Sequence, residues 1–330
     1  MSLGSIGIRR LVASLLVVSF SAVASTAACA QAPGKGPIRI LVGFAAGGTT
    51  DVAARLIADR LREDLDRPVV VENKAGAGGR IAAEALKGSP ADGSTLLLVP
   101  MVVPVLAPLV SRQLGYDPAH DLAPVAHVAY YAIALAVAPN HPAGTMGELA
   151  AWAKANPARA SFGTPAAGSL PHFFGVMAGK AIGVDMVHVP YKGVAPLAVD
   201  LAGNQIPVGI SALSDLIELH RAGRLRIIAT SGARRSALLP TVPTFIEQGF
   251  PAIEGNGWIA FYAPAGTPEP VIEQWSRAIA KVVTTPEVTA RLIQLGLEPT
   301  GSTPEELAAI MAVDTARWRP IIQASGFSGE

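Results

Sequence analysis

From Pro37 onward, apolar residues recur in two rhythms. Short unbroken runs alternate with stretches in which they return every third or fourth position. Ile38 to Phe44 predicts a buried strand. Gly47-Gly48-Thr49-Thr50-Asp51 then turns the chain into a helix with Ala54, Ile57, Leu61 and Leu65 on one face. Asp51, Arg55 and Asp59 recur at i, i+4 on another face and read as a solvated stripe of favourable pairs. Pro68 to Glu72 is a second strand. A glycine turn, a helix over about Arg80 to Leu86 and a third strand, Thr95 to Val99, follow. Links this short imply parallel strands with right-handed crossovers.

The alternation resumes after Val125 to Ala138, a long apolar run that holds Tyr130 and Tyr131. A helix over Met146 to Ala155, a glycine-rich loop over Gly163 to Ser169, a helix and the strand Met186 to Val189 come next. Ala195 to Ala202 predicts a helix and Leu225 to Thr230 a strand. The C-terminal third holds the strand Trp258 to Tyr262 and helices over Pro268 to Val283 and Thr303 to Trp318. Two similar α/β halves without a linker suggest lobes joined by crossing strands, with Val125 to Val137 and Ile227 to Ser231 as the crossings. The expected division is lobe 1 from 31–128 and 231–330, and lobe 2 from 129–230.

Length and composition suit this picture. The chain has 330 residues, half of them hydrophobic, which is enough for one large or two medium cores. The 33 Gly and 27 Pro mark frequent tight turns. The N-terminus is patterned differently. Arg9 and Arg10 precede the uncharged apolar stretch Leu11 to Val23, and Ala28-Cys29-Ala30 fits a small-x-small cleavage site. Residues 1–30 therefore read as a signal peptide cleaved near Ala30, and the protein as periplasmic. Thr26-Ala27-Ala28-Cys29 leaves a lipoprotein box open as the alternative. Cys29 is the sole cysteine, so a chain cut after Ala30 has neither disulfides nor thiolate chemistry. The net charge of +1 comes with no basic run of the nucleic-acid-binding type.

Three glycine-rich turns could carry chemistry. Phe44 to Asp51 joins a strand to a helix, where unpaired N–H groups and a partial positive charge attract anions. Thr49 or Thr50 could cap the helix and donate a hydroxyl; a plain cap supported by Asp51 is the competing reading. Gly163 to Ser169 has the two-glycine spacing of a phosphate loop without its lysine, which argues against nucleotide hydrolysis. Backbone N–H groups and the Ser169 hydroxyl could still hold a carboxylate, with His172 a structural donor. Gly76 to Ile81 suggests a dinucleotide fingerprint but reads better as a tight turn with close helix–strand packing. There is no G-x-S-x-G or H-E-x-x-H pattern, and the six histidines lack metal-ligand spacing. No cofactor, metal site or catalytic residue is expected.

Ordered stretches then strengthen the reading: Ile38 to Asp51, Pro68 to Asn73, Gly76 to Gly79 and Asp92 to Leu98. Gly168-Ser169 with His172, Val189 to Gly193, Gly223 to Arg226, Pro240 to Thr244 and Pro264 to Pro268 follow in order. Together they resemble the Bug family, the receptors of tripartite tricarboxylate transporters. The resemblance implies an α/β, two-lobed periplasmic-binding-protein fold of the Venus flytrap, type 2-like kind. Its sheets would be parallel or mixed and flanked by helices. It implies a non-enzymatic, monomeric receptor that captures a small carboxylate between its lobes and serves integral-membrane transporter subunits. Carried over, the ligand contacts are Phe44, Gly47, Gly48, Thr49, Thr50 and Asp51 from one lobe, with Asp51 more a loop organiser than a ligand group. The other lobe contributes Thr164, Gly168, Ser169 and His172. A sensor acting on a membrane kinase and a periplasmic hydrolase are the alternatives.

Val99 to Pro104 is apolar where the family commonly has small polar residues, and Pro207, Gly209 and Ser211 follow Gly203 in place of acidic and bulky ones. A wall with fewer donors favours an apolar or aromatic acid over citrate; weak binding by this chain is the alternative. An anion site made of backbone N–H groups further predicts that Gly48 matters more than a nearby arginine such as Arg80.

Overall fold

The computed structural model describes residues 36–111 and 113–329; the expected leader and Cys29 lie outside them. The chain begins with β1 (Ile38–Val42), α1 (Thr49–Leu65), β2 (Val69–Asn73), α2 (Arg80–Lys87) and β3 (Thr95–Pro100). One π-helical turn, Val102–Leu106, leads into the short helices α3 (Ala107–Val110) and α4 (Pro118–Asp121). Then come β4 (Leu122–Tyr131), β5 (Ile133–Val137), α5 (Met146–Ala155), β6 (Ser161–Thr164), α6 (Leu170–Ile182), β7 (Val187–Pro190) and α7 (Val194–Ala202). They are followed by β8 (Val208–Ala212), α8 (Leu213–Arg221), β9 (Arg226–Thr230) and β10 (Gly257–Pro264). The described chain closes with α9 (Glu269–Val283), α10 (Pro286–Gln294), β11 (Glu298–Pro299) and α11 (Pro304–Ser325).

The first sheet has the order β11-β4-β10-β3-β1-β2. Strands β1, β2 and β3 are parallel, with Ile40 opposite Val71 on one side and Leu96 on the other. In β1 only Arg39 reaches solvent, because both faces of a parallel sheet are covered and its strands read as continuous apolar runs. Helix α1 buries Ala53, Ala54, Ile57 and Leu61 and ends where Asp66 turns left-handed. Strand β10 is buried along its length and runs antiparallel to both β3 and β4, so the sheet is mixed. Helix α9 shares a core with this sheet through Ile272, Trp275, Ile279 and Val282. Each such side chain contributes on the order of 1.5–3 kcal/mol when withdrawn from water.

The second sheet has the order β7-β6-β8-β5-β9. Strand β6 is parallel to β7 and β8, while β5 runs antiparallel to β8 and β9. Two connections join the sheets. Only Ala132 separates β4 in the first from β5 in the second. The return path leaves β9 at Ser231, whose backbone N–H donates to Ile133 O at 2.8 Å and whose hydroxyl accepts from Ile133 N at 2.8 Å. The Ser231 hydroxyl donates in turn to Asn256 Oδ1 at 2.7 Å, just before β10.

Helix α11 runs seven residues beyond Trp318, where the periodicity suggested a stop. It continues through Pro320, and Ile322, one turn after Trp318, is buried and offsets the lost backbone bond. Its N-terminus is fixed by a reciprocal cap between Thr303 and Glu306. Trp318 is fully buried, with its ring centroid 5.5 Å from that of Phe174 in α6. One helix from the C-terminal third therefore seals against an element of the second sheet. Among the described residues no helix is long and apolar enough to cross a membrane.

Candidate functional site

A cavity of about 660 Å³ opens where loops of the two sheets face one another, a size typical of small-molecule sites. Phe44, Gly78 and Arg80 line it from the β1–α1 and β2–α2 turns. Pro100 and Val102 follow β3, and Tyr131 ends β4 beside the crossing. From the second sheet's side come Gly168, Ser169, Leu170 and Pro171 at the start of α6. Phe327 and Gly329 arrive from beyond α11.

The β1–α1 turn is held from within. Gly47 N donates to Asp51 Oδ2 at 2.8 Å, and Gly48 N to Ala45 O at 3.3 Å. Asn73, at the end of β2, donates through Nδ2 to Asp51 Oδ1 at 2.8 Å and to Phe44 O at 3.0 Å. Arg55 Nε donates to Asp51 Oδ2 at 3.0 Å, and Arg55 Nη2 to Asn73 Oδ1 at 2.9 Å. Burial by itself would push the Asp51 carboxyl up, but the bonds from Arg55, Gly47 and Asn73 outweigh it and hold the group below the usual carboxylate range. This corrects the solvated stripe read from the sequence. Asp51 is only 2% exposed, because the partners that neutralise it come from a turn and a neighbouring strand as well as from the next helical turn.

Close packing explains the glycines of the β2–α2 turn. A Cβ at Gly43 would come within 2.6 Å of Gly79 Cα, and Gly79 itself sits at φ +95° against Val103 and Phe44. Arg80 follows directly as the first residue of α2. Its Nε donates to Ala77 O at 2.9 Å and its Nη1 to Ser111 Oγ at 2.8 Å.

At the second loop, Ser169 caps α6: its hydroxyl accepts from His172 N at 3.4 Å and donates to Ala166 O at 2.7 Å. Gly168, at φ +68°, donates its N–H to His172 Nδ1 at 3.1 Å. His172 is thus an acceptor beneath the loop, and burial lowers its pKa. Thr164 is fully buried at the end of β6, donating to Ala166 O at 3.1 Å and pairing with His188 Nε2 at 2.7 Å. Phe327 lies over Gly168, where a Cβ would come within 2.6 Å of its ring, and meets His172 edge-on at 5.2 Å. Gly329 N donates to Val110 O at 2.7 Å and bridges Ser111, so the end of the described chain crosses the cavity's margin.

Of the residues singled out from the sequence, Phe44, Gly168 and Ser169 line the cavity. Gly47, Gly48, Thr49, Thr50 and Asp51 form the turn beside it. Thr164 and His172 lie under the second loop. The apolar stretch after β3 reaches the cavity through Pro100 and Val102. Pro207, Gly209 and Ser211 do not: Gly209 packs on Leu201, and Ser211 is buried and donates to Asp215. Gly209 and Ser211 belong to β8, the central strand of the second sheet, and Pro207 directly precedes it. Sequence reasoning passed over Ser111, Tyr131 and Phe327, which are brought in from three distant stretches of chain. Arg80 had a signal, since it follows a glycine turn at a helix start.

A family model described as tripartite tricarboxylate transporter family receptor matches residues 53–327. The chain belongs to this family. Bordetella pertussis protein BugT is 34% identical over 291 residues, 88% of this chain and 89% of its own. Among solved structures, R. palustris Rpa4515 with adipate superposes with a TM-score of 0.79 at 33% identity, covering 88% of this chain and 98% of that one. Periplasmic binding protein BugD gives 0.75 at 31% identity, covering 89% and 99%. The two mixed sheets flanked by helices are those of a periplasmic binding protein, and the tripartite tricarboxylate receptors are substrate-binding proteins and not enzymes.

Proposed function

We propose that this receptor captures a small carboxylate, of the apolar or aromatic kind, in the cavity between its two sheets and presents it to integral-membrane transporter subunits. The observation that carries this reading is the lining itself. It takes Phe44 and Arg80 from one sheet's loops and Gly168 and Ser169 from the other's, around a connection as short as Ala132. A ligand touching both sides favours whichever arrangement brings them together, and the resulting shape is what a membrane partner can read. The adipate in a related structure supports a carboxylate as cargo. Residues 1–30 serve as a cleaved leader, and the receptor works as a periplasmic monomer divided into lobes 31–128 with 231–330, and 129–230.

Thermal unfolding of ligand-free protein in the presence of adipate, citrate, hexanoate and benzoate tests the reading, because a ligand specific for the native state raises the midpoint. At least one acid should do so, and small-angle scattering with that acid should report a more compact particle. No shift with any carboxylate would remove the proposal.

A further inference from the structure

The donors around the cavity are largely committed to the protein itself. Gly47 N–H goes to Asp51 and Gly168 N–H to His172. The Ser169 hydroxyl proton goes to Ala166 O. The two glycine loops that the sequence offers as anion cradles have therefore turned these groups inward.

Arg80 is the charged exception. Its guanidinium lines the cavity, anchored at two points by neutral acceptors, Ala77 O and Ser111 Oγ. A guanidinium has five N–H donors, and two anchoring bonds leave the rest of the planar fork for a ligand. No acidic side chain pairs with Arg80 among the described residues, and no Asp, Glu, Lys or His lines the cavity with it. The remaining wall is mostly apolar: Phe44, Val102, Val110, Leu170, Pro171 and Phe327. A cation held rigidly, without a counter-charge, in an apolar surround is matched by one anionic group on an apolar body. Besides Arg80 the polar side chains of the lining are the neutral hydroxyls of Ser111, Tyr131 and Ser169, so a second or third carboxylate would lose water without meeting a second positive charge.

We propose that Arg80 is the charge-recognition residue of this receptor and that its cargo class is the monocarboxylic acid with an aliphatic or aromatic body. The inference rests on the receptor reading above and narrows it. It also reverses the weight the sequence gave to Gly48 over Arg80: Gly48 lies outside the cavity lining and Arg80 within it.

Titration calorimetry with hexanoate, benzoate, benzamide, adipate and citrate, on wild type, Arg80→Gln and Arg80→Lys, tests it. Wild type should bind hexanoate or benzoate more tightly than adipate or citrate, and benzoate more tightly than its uncharged amide. Losing a charge-assisted bond should weaken monocarboxylate binding about ten- to a hundredfold in Arg80→Gln. Arg80→Lys should recover part of that loss, and the acid-over-amide preference should vanish in Arg80→Gln alone. Equal binding of the monocarboxylate to wild type and Arg80→Gln, at matched thermal stability, would overturn the role of Arg80 and leave the receptor reading standing. Preference for adipate or citrate would overturn the cargo class. Failure of wild type to bind any of the acids would remove the receptor reading and this inference with it.

Discussion

The imidazoles of His172 and His188 lie face to face, with ring centroids 3.8 Å apart and planes 17° from parallel. His172 Nδ1 accepts from Gly168 N, and His188 Nε2 meets the Thr164 hydroxyl, so the stack supports the second loop from below. Burial, and then the neighbouring ring, lower the His188 pKa from 6.5 to about 4. His127 is lowered by burial in the same way, also to about 4.

These shifts set a direction for stability against pH. Each histidine takes up a proton more readily in the unfolded chain, whose pKa is about 6.5. Their contribution is whole above that value and is lost as pH falls from about 6.5 towards about 4. The thermal midpoint should therefore drop across this window. His188→Gln, which keeps a donor for Thr164 but cannot charge, should flatten the drop. A His188→Gln curve parallel to that of the wild type would exclude His188 as its source.

Asp51 should be costly to replace although no ligand contact is required of it. Asp51→Ala strands Gly47 N–H, Arg55 and Asn73 at once, and a loss of about 2–4 kcal/mol in urea unfolding is expected. Asn73→Ala, which breaks the contact to Phe44 O and leaves the Asp51–Arg55 pair, should cost less. Equal losses would mean that the carboxylate is not the organiser of the turn.

Gly175 in α6 has no room for a side chain, because a methyl group there would overlap the ring of Phe162 in β6. Gly175→Ala should destabilise by about 1–3 kcal/mol through overpacking. Adding Phe162→Leu should return part of that loss, since directly contacting sites couple. Simple addition of the two penalties in urea melts would refute the clash.

Mass spectrometry of exported protein should find a mature chain beginning near Gln31. Retained residues before Cys29, or a lipid on Cys29, would count against cleavage after Ala30.

Much of the fold is legible in the sequence because burial in a covered sheet leaves continuous apolar runs. Ile38 to Val42 and Leu96 to Val99 show this plainly. Met146–Ala155 is legible to both ends, and the structure adds the Thr145 cap at its start. Strand β8 and helix α8 were not, because Gly209 and Ser211 interrupt an apolar run of only five residues. The candidate site was legible at Phe44 and at Gly168-Ser169, where a turn has a sequence signature. Asp51 misled because helical spacing shows which face a residue occupies along its own helix and nothing of Asn73, 22 positions away, which closes over it. The cavity margins at Ser111, Tyr131 and Phe327 meet only after both sheets are formed, and no local pattern marks them.

The placement of β10 has a consequence for the order of events in synthesis. It lies between β3 and β4, strands that precede it by well over a hundred residues, and it hydrogen-bonds to both. A ribosome that has reached Arg226 has already synthesised every strand of the second sheet but the last, while the first sheet still has an open slot at its centre. Loop closure over such a distance is slow. A growing chain therefore stays pliable until about residue 264 emerges. This delay suits the export proposed above, in which the chain crosses a membrane before it folds.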